Sequence, residues 1–206
     1  MPHVRTFGVV GLVLAAVVTA GCSGSSGSGS GSGSGSASAS PAAGAAAPTE
    51  SNPAGDIPDN QAYVAYQPPG GGFTVKVPEG WARTSQGGTT VFTDKLNRVQ
   101  ITASSAATAP TVGSVTNQVV PQLRGHVPKF SSAKVSQVTR HAGPAVLLTY
   151  QGDSAPDPVT GKVVRDAFER YAFHRQGREV DLTLSGPANA DNVDPWRIVS
   201  DSFAWR

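Results

Sequence analysis

One cysteine, Cys22, is all the thiol chemistry this 206-residue chain has. No disulfide can form within it, and no cysteine cluster can hold zinc. Charge is also sparse: 15% of residues are Asp, Glu, Lys or Arg, and the formal net charge is +2. That balance lacks the basic footprint of a nucleic-acid binder. The histidines beyond residue 3 are His126, His141 and His174. They occur singly, so the paired spacing of a zinc hydrolase is missing. There is no G-x-S-x-G nucleophile elbow, no Walker loop and no G-x-G-x-x-G turn. No cofactor or metal is expected, and no catalytic residue stands out.

What the chain does have begins at its start. Phe7 to Val18 (FGVVGLVLAAVV) is an unbroken run of apolar residues and glycine behind Arg5. Twelve residues suit an export signal, whereas a helix crossing a bilayer needs about 20. The run ends in Thr19-Ala20-Gly21-Cys22, small residues ahead of the one cysteine. This stretch resembles a bacterial lipobox. The resemblance implies diacylglyceryl transfer to the Cys22 sulfur, cleavage between Gly21 and Cys22, and anchoring at the outer face of the cell membrane. Two or more acyl chains hold such an anchor stably, where one does not.

Residues 22–59 then run through Gly-Ser alternation, which has no apolar content to pack, into Ala/Pro-rich sequence. They read as a flexible tether. Its 36 residues from 23 to 58 have an r.m.s. span of about 30–36 Å at 5–6 Å × √n. Its Ser, Thr and Pro content also suits O-glycosylation. The parts expected are therefore a signal peptide (1–21), a lipidated cysteine with linker (22–59), and a globular domain (60–206).

Residues 60–206 hold 15 Lys+Arg against 11 Asp+Glu, a mildly basic balance. Phe73, Val75 and Val77 alternate with Thr74 and Lys76, the period of a half-buried strand. Pro78-Glu79-Gly80 turns the chain and Trp81 opens the next strand. Two more strands flank a hairpin turn at Asp94–Asn97. Val115, Val119, Val120 and Leu123 fall at helical spacing behind Ser114 as a cap, and Pro121 predicts a kink or late start there. Strands resume at Ala133–Arg140, Ala145–Tyr150 and Val163–His174, the second of these apolar on both faces. Val180, Leu182 and Leu184 mark the last strand. A closing helix follows, with Asp194 as N-cap and Pro195 at the first helical position. The order predicts an α+β domain, one twisted antiparallel sheet flanked by helices.

Gly72-Phe73-Thr74-Val75-Lys76-Val77-Pro78-Glu79-Gly80-Trp81 and the closing Trp196…Val199…Ser202-Phe203-Ala204-Trp205 are similar to the two ends of PsbP/Mog1-like domains. Signal, linker and domain together resemble actinobacterial lipoproteins of the LpqN type. The resemblance implies a binding or scaffold protein of the cell envelope, with no active site to carry over.

Two sets of side chains stand as candidates for binding. Arg165, Arg170, Arg175 and Arg178 cluster in sequence and suggest an anion patch, though their parity does not put them all on one strand face. Trp81, Tyr171 and Trp196 suggest ligand-lining or core aromatics. The reading is a membrane-anchored, extracytoplasmic, non-catalytic module whose partner is an envelope protein or a lipid. The alternative is a small-ligand or lipid carrier with a pocket between sheet and helix, and a hidden hydrolase ranks last.

Overall fold

The computed structural model describes residues 54–157 and 159–206. Gly21, Cys22, the signal and most of the linker lie outside these residues. No helix among the described residues is long and apolar enough to cross a membrane.

Two antiparallel sheets replace the single sheet expected. A three-stranded sheet runs β1 (Tyr63–Tyr66), β2 (Phe73–Pro78), β10 (Ala204–Trp205). The larger sheet takes β3 (Ala82–Gln86), β4 (Thr89–Asp94), β5 (Asn97–Ser105), β6 (Ser131–Arg140), β7 (Gly143–Asp153), β8 (Arg165–Arg175) and β9 (Arg178–Pro187). Its spatial order is β3-β4-β5-β9-β8-β7-β6. The reason for two sheets is coverage. The large sheet presents an apolar face wider than the closing helix α3 (Val193–Asp201) can hide. β2 therefore pairs with β1 and β10 and lies across that face.

The resulting core is aromatic at its centre. Phe173 stacks on Phe203 with centroids 4.2 Å apart, and Phe203 stacks on Phe73 at 5.3 Å. Val180, Leu182 and Leu184 of β9 are fully buried beside them. Each such side chain contributes about 1.5–3 kcal/mol by leaving water.

The opposite face of the large sheet is covered over only part of its width. The cover is one helical stretch: α1 (Val112–Ser114), a π-helical turn at Val115–Val119, and α2 (Val120–His126). Thr111 caps it, not Ser114: the Thr111 hydroxyl accepts from the Ser114 N–H while the Ser114 hydroxyl accepts from the Thr111 N–H. Ser114 is the third residue of a capping box, so the helix begins one turn earlier than its apolar spacing suggests. Pro121 sits in the first turn of α2, after the π turn in which Val120 N–H reaches back to Val115 O. A ring that cannot donate to the carbonyl four residues back is accommodated by the widened turn before it.

The closing helix also starts differently. Asn192, not Asp194, holds the N-cap position, and its side chain is engaged elsewhere. Asn192 Oδ1 accepts from Ile57 N–H (2.8 Å), while its Nδ2 donates to Gly55 O and to Asn97 Oδ1. Asn97 Nδ2 donates to the same Gly55 carbonyl at 2.9 Å. Ile57 is buried and Gly55 lies against Pro187. Segment 55–57, expected to belong to the linker, is thus clasped onto the domain by two buried asparagines.

Candidate functional site

The half-covered face holds the candidate site. Under the helical stretch, Val115, Val120, Val146, Leu148 and Ala172 form a second apolar cluster. Phe130, Tyr150 and Phe168 stack in a row beside it, with centroids 5.1 and 4.5 Å apart. Beyond Phe168 the sheet is uncovered and its residues turn polar. The register places Thr93 beside Arg98, Val91 beside Gln100 and Thr89 beside Thr102, then Thr183 and Asp181 across on β9. A strand keeps alternating side chains on one face, so these positions share the face that bears Arg170 and Phe168.

A cleft of about 710 Å³ opens at one end of this face. The β4–β5 turn bounds it on one side with Lys95 and Leu96. The end of α2 bounds it on another with Val127 and Pro128, and the loop after β7 hangs over it. A smaller hollow of about 340 Å³ runs on toward the sheet centre and shares Arg98, Phe168 and Ser185 with the first. Gly152 sits against the end of α2: a Cβ there would meet Val127 Cγ1 at 2.1 Å, so only glycine lets Val127 approach the sheet this closely.

Asp166 lies in the cleft wall, 7% exposed. Its Oδ1 is shut from solvent and has no hydrogen-bond partner among the described residues. Burial, reinforced by the neighbouring Asp153 carboxylate, raises it to about 6. Asp153 itself is neutralised by Lys129 at 2.8 Å and Arg165 at 3.5 Å, and its pKa is lowered chiefly by the Lys129 hydrogen bond.

Farther in, Arg170 forms ion pairs with Asp181 at 2.6 Å and Glu179 at 3.7 Å. Arg170 Nη1 and Asp181 Oδ1 are nonetheless left without partners among the described residues. Burial, opposed by Arg170, raises Asp181 to about 6. Burial likewise raises Tyr150 to about 12 against the pull of Arg170 and Arg98. Arginine and two acids on a half-open sheet make a charged floor that apolar packing does not explain.

The four arginines read as an anion patch do not converge. Arg165 and Arg175 stand at opposite ends of β8, ten residues or about 33 Å apart. Arg165 is held by Lys129 O, Ser131 and Asp153. Arg170 faces the other side of the sheet. Arg178 donates to Gly71 O, and its guanidinium lies where a Cβ on Gly72 would go. Gly72, with φ of 88°, therefore suits that close approach twice over. Clustering along the chain was a poor guide because a strand disperses its residues over two faces and its full length.

The aromatic candidates line no part of the cleft. Tyr171 is buried in the closed core; its hydroxyl donates to Glu169 (2.6 Å) and accepts from Arg140 (2.9 Å). Burial is the main cause that raises its pKa. Trp81 and Trp196 are half-buried against that same core. His126 Nδ1 pairs with Gln122 O and His174 Nε2 with Ala106 O, both structural bonds. No group of three metal-ligating side chains occurs among the described residues. Sequence reasoning assigned no ligand role to Asp166, Arg98 or Lys95. The signal for Asp166 was a carboxylate inside a strand, where Asp is disfavoured.

No protein-family model matches the chain, and no curated protein matches it in sequence. Solved structures do resemble its fold. One from Bacteroides thetaiotaomicron is 13% identical with a TM-score of 0.45; the match covers 69% of this chain and 48% of that one, so the chain spans about half its length. The solution structure of cyanobacterial PsbP (CyanoP) from Synechocystis is 15% identical with a TM-score of 0.49, covering 71% of this chain and 94% of that one. LpqN of Mycobacterium tuberculosis, described as involved in cell envelope biogenesis, is 14% identical with a TM-score of 0.40, covering 71% and 92%. Likeness at this level says nothing of what this chain binds.

Proposed function

We propose that this chain is a lipid-anchored extracytoplasmic binding module without catalytic chemistry, and that its domain receives a small amphipathic ligand in the cleft beside Asp166. Cys22 would hold it at the outer face of the membrane, with the linker as tether. The single observation that carries the binding reading is the cleft. It joins an apolar wall (Leu96, Val127, Pro128, Phe168) to charged groups whose partners are incomplete. A pocket with an apolar lining and few placed polar groups is the usual form of a small-molecule site. A protein-scaffold role is the competing reading, and the outer strands of the large sheet, ten-residue β6 and the exposed β3, favour it, because they offer unpaired backbone to a partner.

Native mass spectrometry of the full-length protein, gently extracted from its host's membranes, tests both halves. The expected covalent mass is that of a chain starting at Cys22 and bearing diacylglycerol. The expected non-covalent mass is a small adduct of lipid size. An unmodified chain cut elsewhere overturns the anchor. A discrete protein adduct in place of the small one overturns the carrier role in favour of a scaffold.

A further inference from the structure

The cleft's charges are unmatched in a particular order. At the mouth, Lys95, Arg98 and Lys162 are exposed, and none forms an ion pair among the described residues. In the wall, Asp166 is nine-tenths buried with an oxygen to which no described residue donates. The other two carboxylates lining the cleft are already served. Asp153 has its two cations, and Asp157 Oδ1 accepts from Val159 N–H, Thr160 N–H and the Thr160 hydroxyl. Cations without carboxylates lie outside, and a carboxylate without a donor lies inside.

Resting on the cleft as a binding site, we propose that it takes a zwitterion: a primary ammonium donating to Asp166, an anionic group among Lys95, Arg98 and Lys162, and an apolar portion against Leu96, Val127 and Phe168. A buried carboxylate left without a partner is costly. A ligand ammonium offsets that cost by a charge-assisted hydrogen bond once the Asp166 carboxyl turns about its Cβ–Cγ bond to bring Oδ1, otherwise shut from solvent, to face the cleft. The same chemistry is found in an ethanolamine lipid headgroup and in a soluble zwitterion. The lipid source has one feature in its favour. Asn97 lines the cleft and also holds Gly55, so the chain enters the domain beside the cleft mouth.

The test titrates the mature full-length protein in dodecyl maltoside by isothermal calorimetry. The probes are dihexanoyl phosphatidylethanolamine, dihexanoyl phosphatidylglycerol (the same chains without the amine) and free phosphoethanolamine. The ethanolamine lipid is expected to bind about ten-fold or more tighter than the glycerol lipid, as one charge-assisted bond of about 1.5–3 kcal/mol requires. Asp166→Asn should abolish that preference without lowering the melting temperature, which separates ligand recognition from a structural role. Lys95→Ala with Lys162→Ala should weaken both lipids together.

Phosphoethanolamine binding as tightly as its lipid would assign a soluble zwitterion, and binding of the lipid alone would assign the membrane; both support the proposal. Equal binding of the two lipids, or a preference that survives Asp166→Asn, overturns it. If both lipids bind equally and Leu96→Asp abolishes both, the ammonium assignment fails while the cleft stands as a binding site. If no probe binds and the extracted protein retains no small adduct, both readings fail.

Discussion

The two faces of the seven-stranded sheet are built to opposite rules. One is sealed by a second sheet and a helix, and its central side chains are apolar or aromatic with almost no exposure. Its main polar group, the Tyr171 hydroxyl, is satisfied on both sides by Glu169 and Arg140. The other face is covered halfway. Past Phe168 it carries threonines, an arginine with two acids, and buried polar atoms without partners among the described residues. A sheet stabilised mainly by one face and by half of the other can spare the remainder for recognition. The lesson is that unpaired polar atoms here mark where the fold has surplus stability to spend.

That division can be broken from the sealed side first. Phe173→Ala should cost about 3–5 kcal/mol, because it empties the middle of the aromatic stack. Chemical denaturation would read this as a lower midpoint with an unchanged slope. A loss near 1 kcal/mol would mean the sealed face is not the main source of stability.

On the open face, Arg170→Leu should cost about 3 kcal/mol, since it strands Asp181 and Glu179 without their cation. The triple change Arg170→Leu, Asp181→Leu, Glu179→Leu should recover most of that loss. Failure to recover would show that the charges hold the sheet together instead of serving the cleft.

Asn192→Ala should cost about 1–2 kcal/mol, from the loss of buried hydrogen bonds to Ile57, Gly55 and Asn97. Limited proteolysis should then cut near residues 54–60 first. A cut that appears first elsewhere would place the domain's weak point away from the clasp.

The last is a pH effect. Asp166 and Asp181 are each raised to about 6 in the fold, above the ordinary carboxylate value of 3.8. The folded state therefore binds more protons than the unfolded state between those values, so these two groups destabilise the fold above pH 6 and their penalty fades as pH falls toward 4. Asp153, depressed by Lys129 and Arg165, acts in the opposite sense and only at lower pH. Asp166→Asn should raise the melting temperature at pH 7.5 and leave it unchanged near pH 4. Equal shifts at both pH values would show that the Asp166 carboxyl is not strained by its burial.

The sealed face was largely legible in the sequence. Phe73, Val75 and Val77 and then Val180, Leu182 and Leu184 keep strict alternation, and alternation reports one buried side. The existence of a second sheet was not legible, because pairing partners are non-local: β10 joins β2 from the far end of the chain. The cleft was less legible still. Its members come from the β4–β5 turn, the end of α2, the loop after β7 and the start of β8, and none of those local patterns points to another. Asn192 shows why capping rules can miss: its side chain was claimed by a contact 137 residues away.

The asparagine clasp also decides how the domain would carry load. Were the chain anchored at residue 22 as proposed, and gripped by a partner, it would be pulled through its linker. Tension entering at Gly55 would meet Asn97 and Asn192 before it reached β1. Those two side chains reach Gly55 from the β4–β5 turn and the start of α3, so the force would be shared between separate parts of the chain. The clasp would then act as a strain relief, as on a cable: it could slip and re-form at a carbonyl and an amide while the strands behind it stay in register.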